Sequence, residues 1–148
     1  MLTRRDLVVA FIAACGTLFL VALTRAETPI MHSKVFDWNS IQVESKQHGA
    51  TRRFFQAPTA TLDELELHVT TLNPGKAPHP PHKHSDEELI LVKEGTVEST
   101  LNGETRLAGP GSVIFQASNE MHGIRNVSDK PATYFVVKWI SPGMKKKQ

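Results

Sequence analysis

Cysteine is almost missing from this chain: 148 residues contain one, Cys15. It sits in an apolar stretch near the N-terminus that reads as a removable export segment. A mature chain would therefore have no disulfide and no thiol nucleophile, and its core must hold without a covalent staple. A charge surplus is missing too. Taking Arg4, Arg5, Arg25 and Asp6 of residues 1–26 away from the 17 basic and 15 acidic residues leaves 14 of each. That balance argues against nucleic acid as a partner. The short basic tail, 143–148 with Lys145 to Lys147, reads as a solvated terminus. Also lacking are a long stretch of helical periodicity, an internal repeat, a second-domain boundary and any suggestion of a Ser-His-Asp arrangement.

The N-terminal segment 1–26 has the layout of a cleavable signal: a charged head "MLTRRDL", the apolar run "VVAFIAACGTLFLVAL", and a small residue at Ala26. The apolar run of about 16 residues is shorter than the roughly 20 a spanning helix needs, so no stable membrane anchor is expected after cleavage. "TRRDLV" resembles a twin-arginine export signal, although paired arginines also occur in ordinary signal heads. "IAAC" resembles a lipoprotein box, but the chain stays apolar after Cys15 where a polar tether would be expected. The expected location is the periplasm or the extracellular space.

What remains is rich in short strand-like runs separated by turn residues, which predicts a sandwich or barrel of β-strands in one domain. "LELHVTTL" alternates Leu65, Leu67 and Val69 against Glu66, His68 and Thr70. "ELILVKEG" is apolar at successive positions, as for a strand covered on both faces. Asn102-Gly103 is the pair best suited to a two-residue hairpin turn with positive φ at both centres. "ATYFVVKWI" is a strong last strand. Phe115, Ile124, Phe135, Val137 and Trp139 are the expected core. Residues 27–60 read as edge strands that pack across the barrel, 61–142 as the barrel. Arg52 and Arg53, beside Phe54 and Phe55, suggest an edge or dimer surface.

The chemistry concentrates in "PHPPHKHSDEELILVKEG". His82 and His84 are two apart, so on a strand both point to one face. A turn at "SDE" returns Glu88 at the start of the next strand, with Glu87 as the competing carboxylate, and His122 opens another strand some 38 residues later. A barrel can gather these four side chains inside its mouth. Three imidazoles and one carboxylate suit Mn, Fe, Co, Ni, Cu or Zn and leave positions open for water or substrate. His79 and His68 are secondary candidates for the pocket, whereas His32 and His48 are expected to be exposed.

This pattern resembles the cupin family. The family's first motif is matched by Gly75, six residues, His82-Lys83-His84, three residues, Glu88, six residues and Gly95. The second is matched by Gly111, five residues, Ala117-Ser118-Asn119, two residues, His122, three residues and Asn126. Three positions depart from it. The gap after Gly75 is one residue longer than usual, Ala117 replaces a turn proline, and Asn119 replaces a glycine at what should be a left-handed position.

The resemblance implies an all-β, antiparallel double-stranded β-helix or jelly-roll barrel, with His82, His84, Glu88 and His122 holding one divalent transition metal ion. Mn or Fe is favoured, with Zn, Ni, Co or Cu also compatible. It implies a metal-dependent enzyme, dioxygenase- or isomerase-like, acting on a small oxygen-rich metabolite, with Glu88 able to move a proton. The other reading is a non-catalytic barrel that binds or senses a small molecule. A homodimer through 27–60 is expected. Asn126 is assigned a structural hydrogen bond, and Arg125 a place outside.

Overall fold

The structure, a computed structural model, describes residues 29–144. Residues 1–26, read above as an export signal, with Arg4, Arg5 and Cys15, and Lys145 to Lys147 of the tail lie outside the described residues. Among the described residues, nine strands follow a 3₁₀ turn at Trp38–Ser40: β1 (Glu44–Lys46), β2 (Gly49–Ala57), β3 (Glu64–Leu72), β4 (Glu87–Glu94), β5 (Val97–Leu101), β6 (Glu104–Ala108), β7 (Val113–Gln116), β8 (His122–Asn126) and β9 (Ala132–Ile140). They form an antiparallel jelly-roll barrel of two sheets, ordered β1-β2-β3-β9-β4-β7 and β6-β5-β8. The Asn102-Gly103 hairpin joins β5 to β6 with φ of 50° and 89°, the mirror-type turn whose twist suits the flanking strands. Asn119 takes φ 61°, the left-handed position that its substitution for glycine implied. No helix among the described residues is long and apolar enough to cross a membrane.

Cross-strand register divides the barrel interior into levels. Thr70, Tyr134 and Val92 lie abreast on β3, β9 and β4, with Leu72 and Ala132 paired beyond them. Leu72, Val92, Ala132 and Tyr134, with Val97 and Ile124, close one end as an apolar core. Two residues along each strand the character changes. His68, Val136, Ile90 and Ile114 form the next level, and Glu66, Lys138, Glu88 and Gln116 the last. Because inward positions recur every second residue, a run of inward residues that turns from apolar to polar builds a barrel that is dry at one end and polar at the other.

Two expectations are corrected by this register. Strand β4 is not covered on both faces: Ile90 and Val92 are buried, while Leu91 is 40% exposed on the outer face. Of the expected core residues only Ile124 is buried in it. Phe135, Val137 and Trp139 face outward on β9, and Phe115 is 50% exposed; the inward positions belong to Tyr134 and Val136. The cause is a second apolar layer. Trp38 packs on Phe54 and Phe135, with ring centroids 5.9 and 6.2 Å apart, and Phe36 packs on Phe55. The arm before β1 thus gives the outer face its own apolar cover. Alternation fixes which residues share a face but not which face looks inward.

Gly95 closes the tight turn from β4 to β5 at φ +78°, and a Cβ there would lie 2.7 Å from Ala132 Cα and Cβ. Gly95→Ala is expected to destabilise the fold by about 2 kcal/mol, from the left-handed backbone plus displacement of β9. Urea unfolding of the purified variant measures it, and an unchanged midpoint would refute the clash.

Candidate metal centre

His122 is the first residue of β8 and is buried at 2% exposure. His82 reaches it by an isolated bridge, each residue's N–H donating to the other's carbonyl at 2.9 Å. His82 and His84 were expected on one strand face. Instead they lie in the loop before β4, and this single bridge, not a continuous strand, orients the pair. Pro80 and Pro81, just before His82, limit the loop's conformations. Pro81 also packs tightly on Gly123, where an added Cβ would come within 3.1 Å of its ring.

The three imidazoles converge. Ring centroids are 4.7 Å apart for His82–His122 and His84–His122 and 5.2 Å for His82–His84. One ring nitrogen from each lies within 4.8 Å of the other two. Backbone carbonyls set the tautomers. His122 Nδ1 is 2.9 Å from the Glu120 carbonyl and His84 Nδ1 is 3.0 Å from that of Asp86. A carbonyl only accepts, so in both rings Nδ1 carries the proton and Nε2 presents a lone pair. His122 Nε2 is buried without a protein partner, as is Nδ1 of His82. Leaving such groups unsatisfied costs about 1–3 kcal/mol each, and a cation among the three rings would satisfy the nitrogens that face it.

Charge favours the same outcome. Burial, then the neighbouring His79, His122 and His84, lower the His82 pKa to about 4; burial also lowers that of His122. Neutral imidazole is the ligating form. The residues present therefore fit a divalent transition metal ion. Glu88 Oε2 is 3.6 Å from His84 Nε2, beside the histidine trio and lining the same cavity. Glu87 points the other way and accepts from Trp139 Nε1 at 2.9 Å. Of the secondary candidates, His79 stands edge-on to His82, with centroids 4.1 Å apart. His68 lines the cavity. His48, expected to be exposed, is half-buried at its rim, while His32 is exposed.

The cavity encloses about 250 Å³ and contains residues that the sequence reading missed. Lys138 forms an ion pair with Asp86 at 3.0 Å and stands between Glu66 and Glu88 in the last interior level. Arg53, read as an edge residue, lines the mouth and pairs with Glu66 at 3.0 Å. Tyr134 and Gln116 complete the wall. Asn126, fully buried, donates to the Leu72 and Lys130 carbonyls at 2.9 and 2.7 Å and accepts from Ser128 N and Oγ, as its structural assignment requires. Arg125 is outside, paired with Glu98.

Glu66 is nearly buried, and its pKa is lowered chiefly by the hydrogen bond from His68, against the opposing effect of burial. A carboxylate lowered in the folded state adds stability that is present above its unfolded pKa and lost as pH falls through the folded value. Glu66→Gln in metal-free protein is accordingly expected to weaken the decline in denaturation midpoint below about pH 4.3. An acid limb identical to wild type would refute this.

A two-sheet antiparallel barrel with a three-histidine group able to hold a metal ion at its mouth defines a small single-domain jelly-roll protein. Residues 68–138 match the family model for the cupin domain, Cupin_2, and this stretch of the chain is a cupin domain. No curated protein matches the chain. Among solved structures, a polyketide cyclase from Streptomyces resistomycificus is 26% identical, with TM-score 0.60, over 76% of this chain and 82% of its own. An RmlC-like cupin from Shewanella frigidimarina is 14% identical with TM-score 0.61, covering 74% and 94%. A predicted oxalate decarboxylase from Thermotoga maritima is 19% identical with TM-score 0.58, covering 72% and 99%. The last two likenesses concern the fold.

Proposed function

We propose that this protein is an exported, metal-dependent cupin enzyme acting on a small oxygen-rich metabolite by dioxygenase- or isomerase-like chemistry. The observation that carries the reading is the convergence of His82, His84 and His122, two of them locked by carbonyls with Nε2 free. The likeness to a polyketide cyclase, itself an enzyme, supports turnover over passive binding. A cation held by neutral imidazoles would keep most of its charge and supply Lewis-acid or, if redox-active, oxygen-activating chemistry. The chain's own residues do the rest. Ile90, Ile124 and Val136 floor the cavity and exclude water from the inner end. Glu88 Oε2, beside His84, can take or return a proton of the bound ligand. Gln116 and Tyr134 offer hydrogen-bonding groups that orient it.

Native protein purified from its export compartment is expected to hold about one metal ion per chain and to turn over a member of a small-acid and sugar-derivative library, with oxygen uptake measured in parallel. Saturable binding without turnover would instead favour a sensing barrel. Protein that neither carries nor responds to any metal would sink both.

The export reading rests on residues 1–26. The twin-arginine form would deliver folded protein, so native material is expected to contain Mn or Fe and protein refolded outside the cell Zn or Cu. Identical zinc content in both preparations would count against it. We also propose a homodimer. The residue 27–60 segment ends the six-stranded sheet with the open edge of β1, and such edges invite pairing. Light scattering at the mass of one chain would refute it.

A further inference from the structure

Arg53 and His68 are direct cross-strand partners on β2 and β3. Both bond the same atom, Glu66 Oε1, Arg53 Nη1 at 3.0 Å and His68 Nδ1 at 2.9 Å. The Glu66 carboxylate lies behind them, its side chain 7% exposed, while Arg53 and His68 stand in the cavity wall. A guanidinium in front with an anion behind makes a surface on which Arg53 offers N–H groups to whatever enters. Arg53 spends Nη1 on Glu66 and Gln56; its Nη2 and Nε have no hydrogen bond among the described residues. Glu66 accepts from His68 Nδ1, so Nε2 is left toward the cavity as an acceptor. His122 occupies the other sheet, across the same cavity.

We propose that Arg53, set in place by Glu66 and His68, recognises a carboxylate at the far end of the ligand. The cavity would then take a small molecule with a chelating oxygen pair for the three-histidine centre and a carboxylate for this wall, that is, a short hydroxy- or oxo-dicarboxylic acid. The proposal rests on the metal reading above and names the substrate class of that same site. The surrounding charges are compatible with it. Lys138 on β9, opposite Glu66, is neutralised by Asp86, and at the rim Lys46 is neutralised by Glu44. Of the cavity's lysines and arginines, Arg53 is the one guanidinium, and its fork of N–H groups matches a carboxylate geometrically.

Two acids that differ only at the far end test this. (S)-malate and 2-hydroxybutyrate share the 2-hydroxy acid group, and a methyl in the second replaces the remote carboxylate of the first. Zinc content of the loaded protein is measured first, then the binding of each acid by calorimetry. Malate is expected to bind at least about 10-fold more tightly, the scale of one charge-assisted hydrogen bond. In Arg53→Gln and in His68→Gln that ratio should fall below about 3-fold, with zinc content and 2-hydroxybutyrate affinity unchanged. Arg53→Lys should keep part of it. Equal binding of the two acids, no binding of malate to zinc-loaded protein, or a ratio that survives both variants would overturn the acid site alone. Protein that takes up no zinc would remove the metal reading and this proposal with it.

Discussion

His122→Ala is expected to lower affinity for a divalent transition metal by about 1,000-fold or more, beyond the 10- to 100-fold typical when only a supporting partner of a ligand is lost. His122 contributes more than one of three donors. Its main chain makes both hydrogen bonds of the bridge that brings His82 into place, and its Nδ1–H, held by Glu120, aims the buried Nε2. Truncating the side chain leaves the bridge but removes the nitrogen at the most enclosed corner of the group. Competition against a chromophoric chelator would read the loss directly. An affinity within about 10-fold of wild type would mean that the ion is held elsewhere. The fold itself should survive, because the apolar core at the opposite end does not include this residue.

Asn126→Ala is expected to cost about 4 kcal/mol of stability, at roughly 1 kcal/mol net for each hydrogen bond lost. Its amide donates to Leu72 on β3 and to Lys130 in the turn before β9, and its carbonyl oxygen receives Ser128 N and Oγ. One side chain with no exposed surface thus ties together the end of β8, the turn that follows and the other sheet. Alanine would strand the buried Leu72 carbonyl, while the Lys130 carbonyl would keep only Ser128 Oγ at 2.8 Å. Asn126→Asp keeps the acceptor and loses the donors, so it should be as damaging. Chemical denaturation measures both variants; a loss below about 1 kcal/mol would show that the turn is held by other contacts.

Much of the metal centre was legible because its spacing is local. The separation from His82 to Glu88 spans one loop and the start of one strand, and that from Gly111 to Asn126 two strands and the loop between them, so a linear reading could assemble them. The basic side of the cavity was not legible for the opposite reason. Arg53, His68 and Lys138 come from β2, β3 and β9, and they meet only because the register sets Arg53 against His68 and Glu66 against Lys138. No pattern within any one strand states that register. Parity was the second obstacle. "LELHVTTL" shows that Glu66, His68 and Thr70 share a face, and ordinary burial logic turns Leu65, Leu67 and Val69 inward. The barrel does the reverse, because the arm carrying Phe36 and Trp38 offers the outer face an apolar partner of its own. The same inversion misplaced Phe135, Val137 and Trp139. A strand with two half-apolar faces carries no mark of which one meets the ligand.

X-ray absorption at the metal edge of natively purified protein tests the three-imidazole centre most directly. The geometry described here predicts a single site whose first shell contains three imidazole nitrogens, at about 2.0–2.1 Å if the ion is zinc, with the remaining positions taken by oxygen. A shell of oxygen alone, without the multiple scattering of imidazole rings, would contradict it.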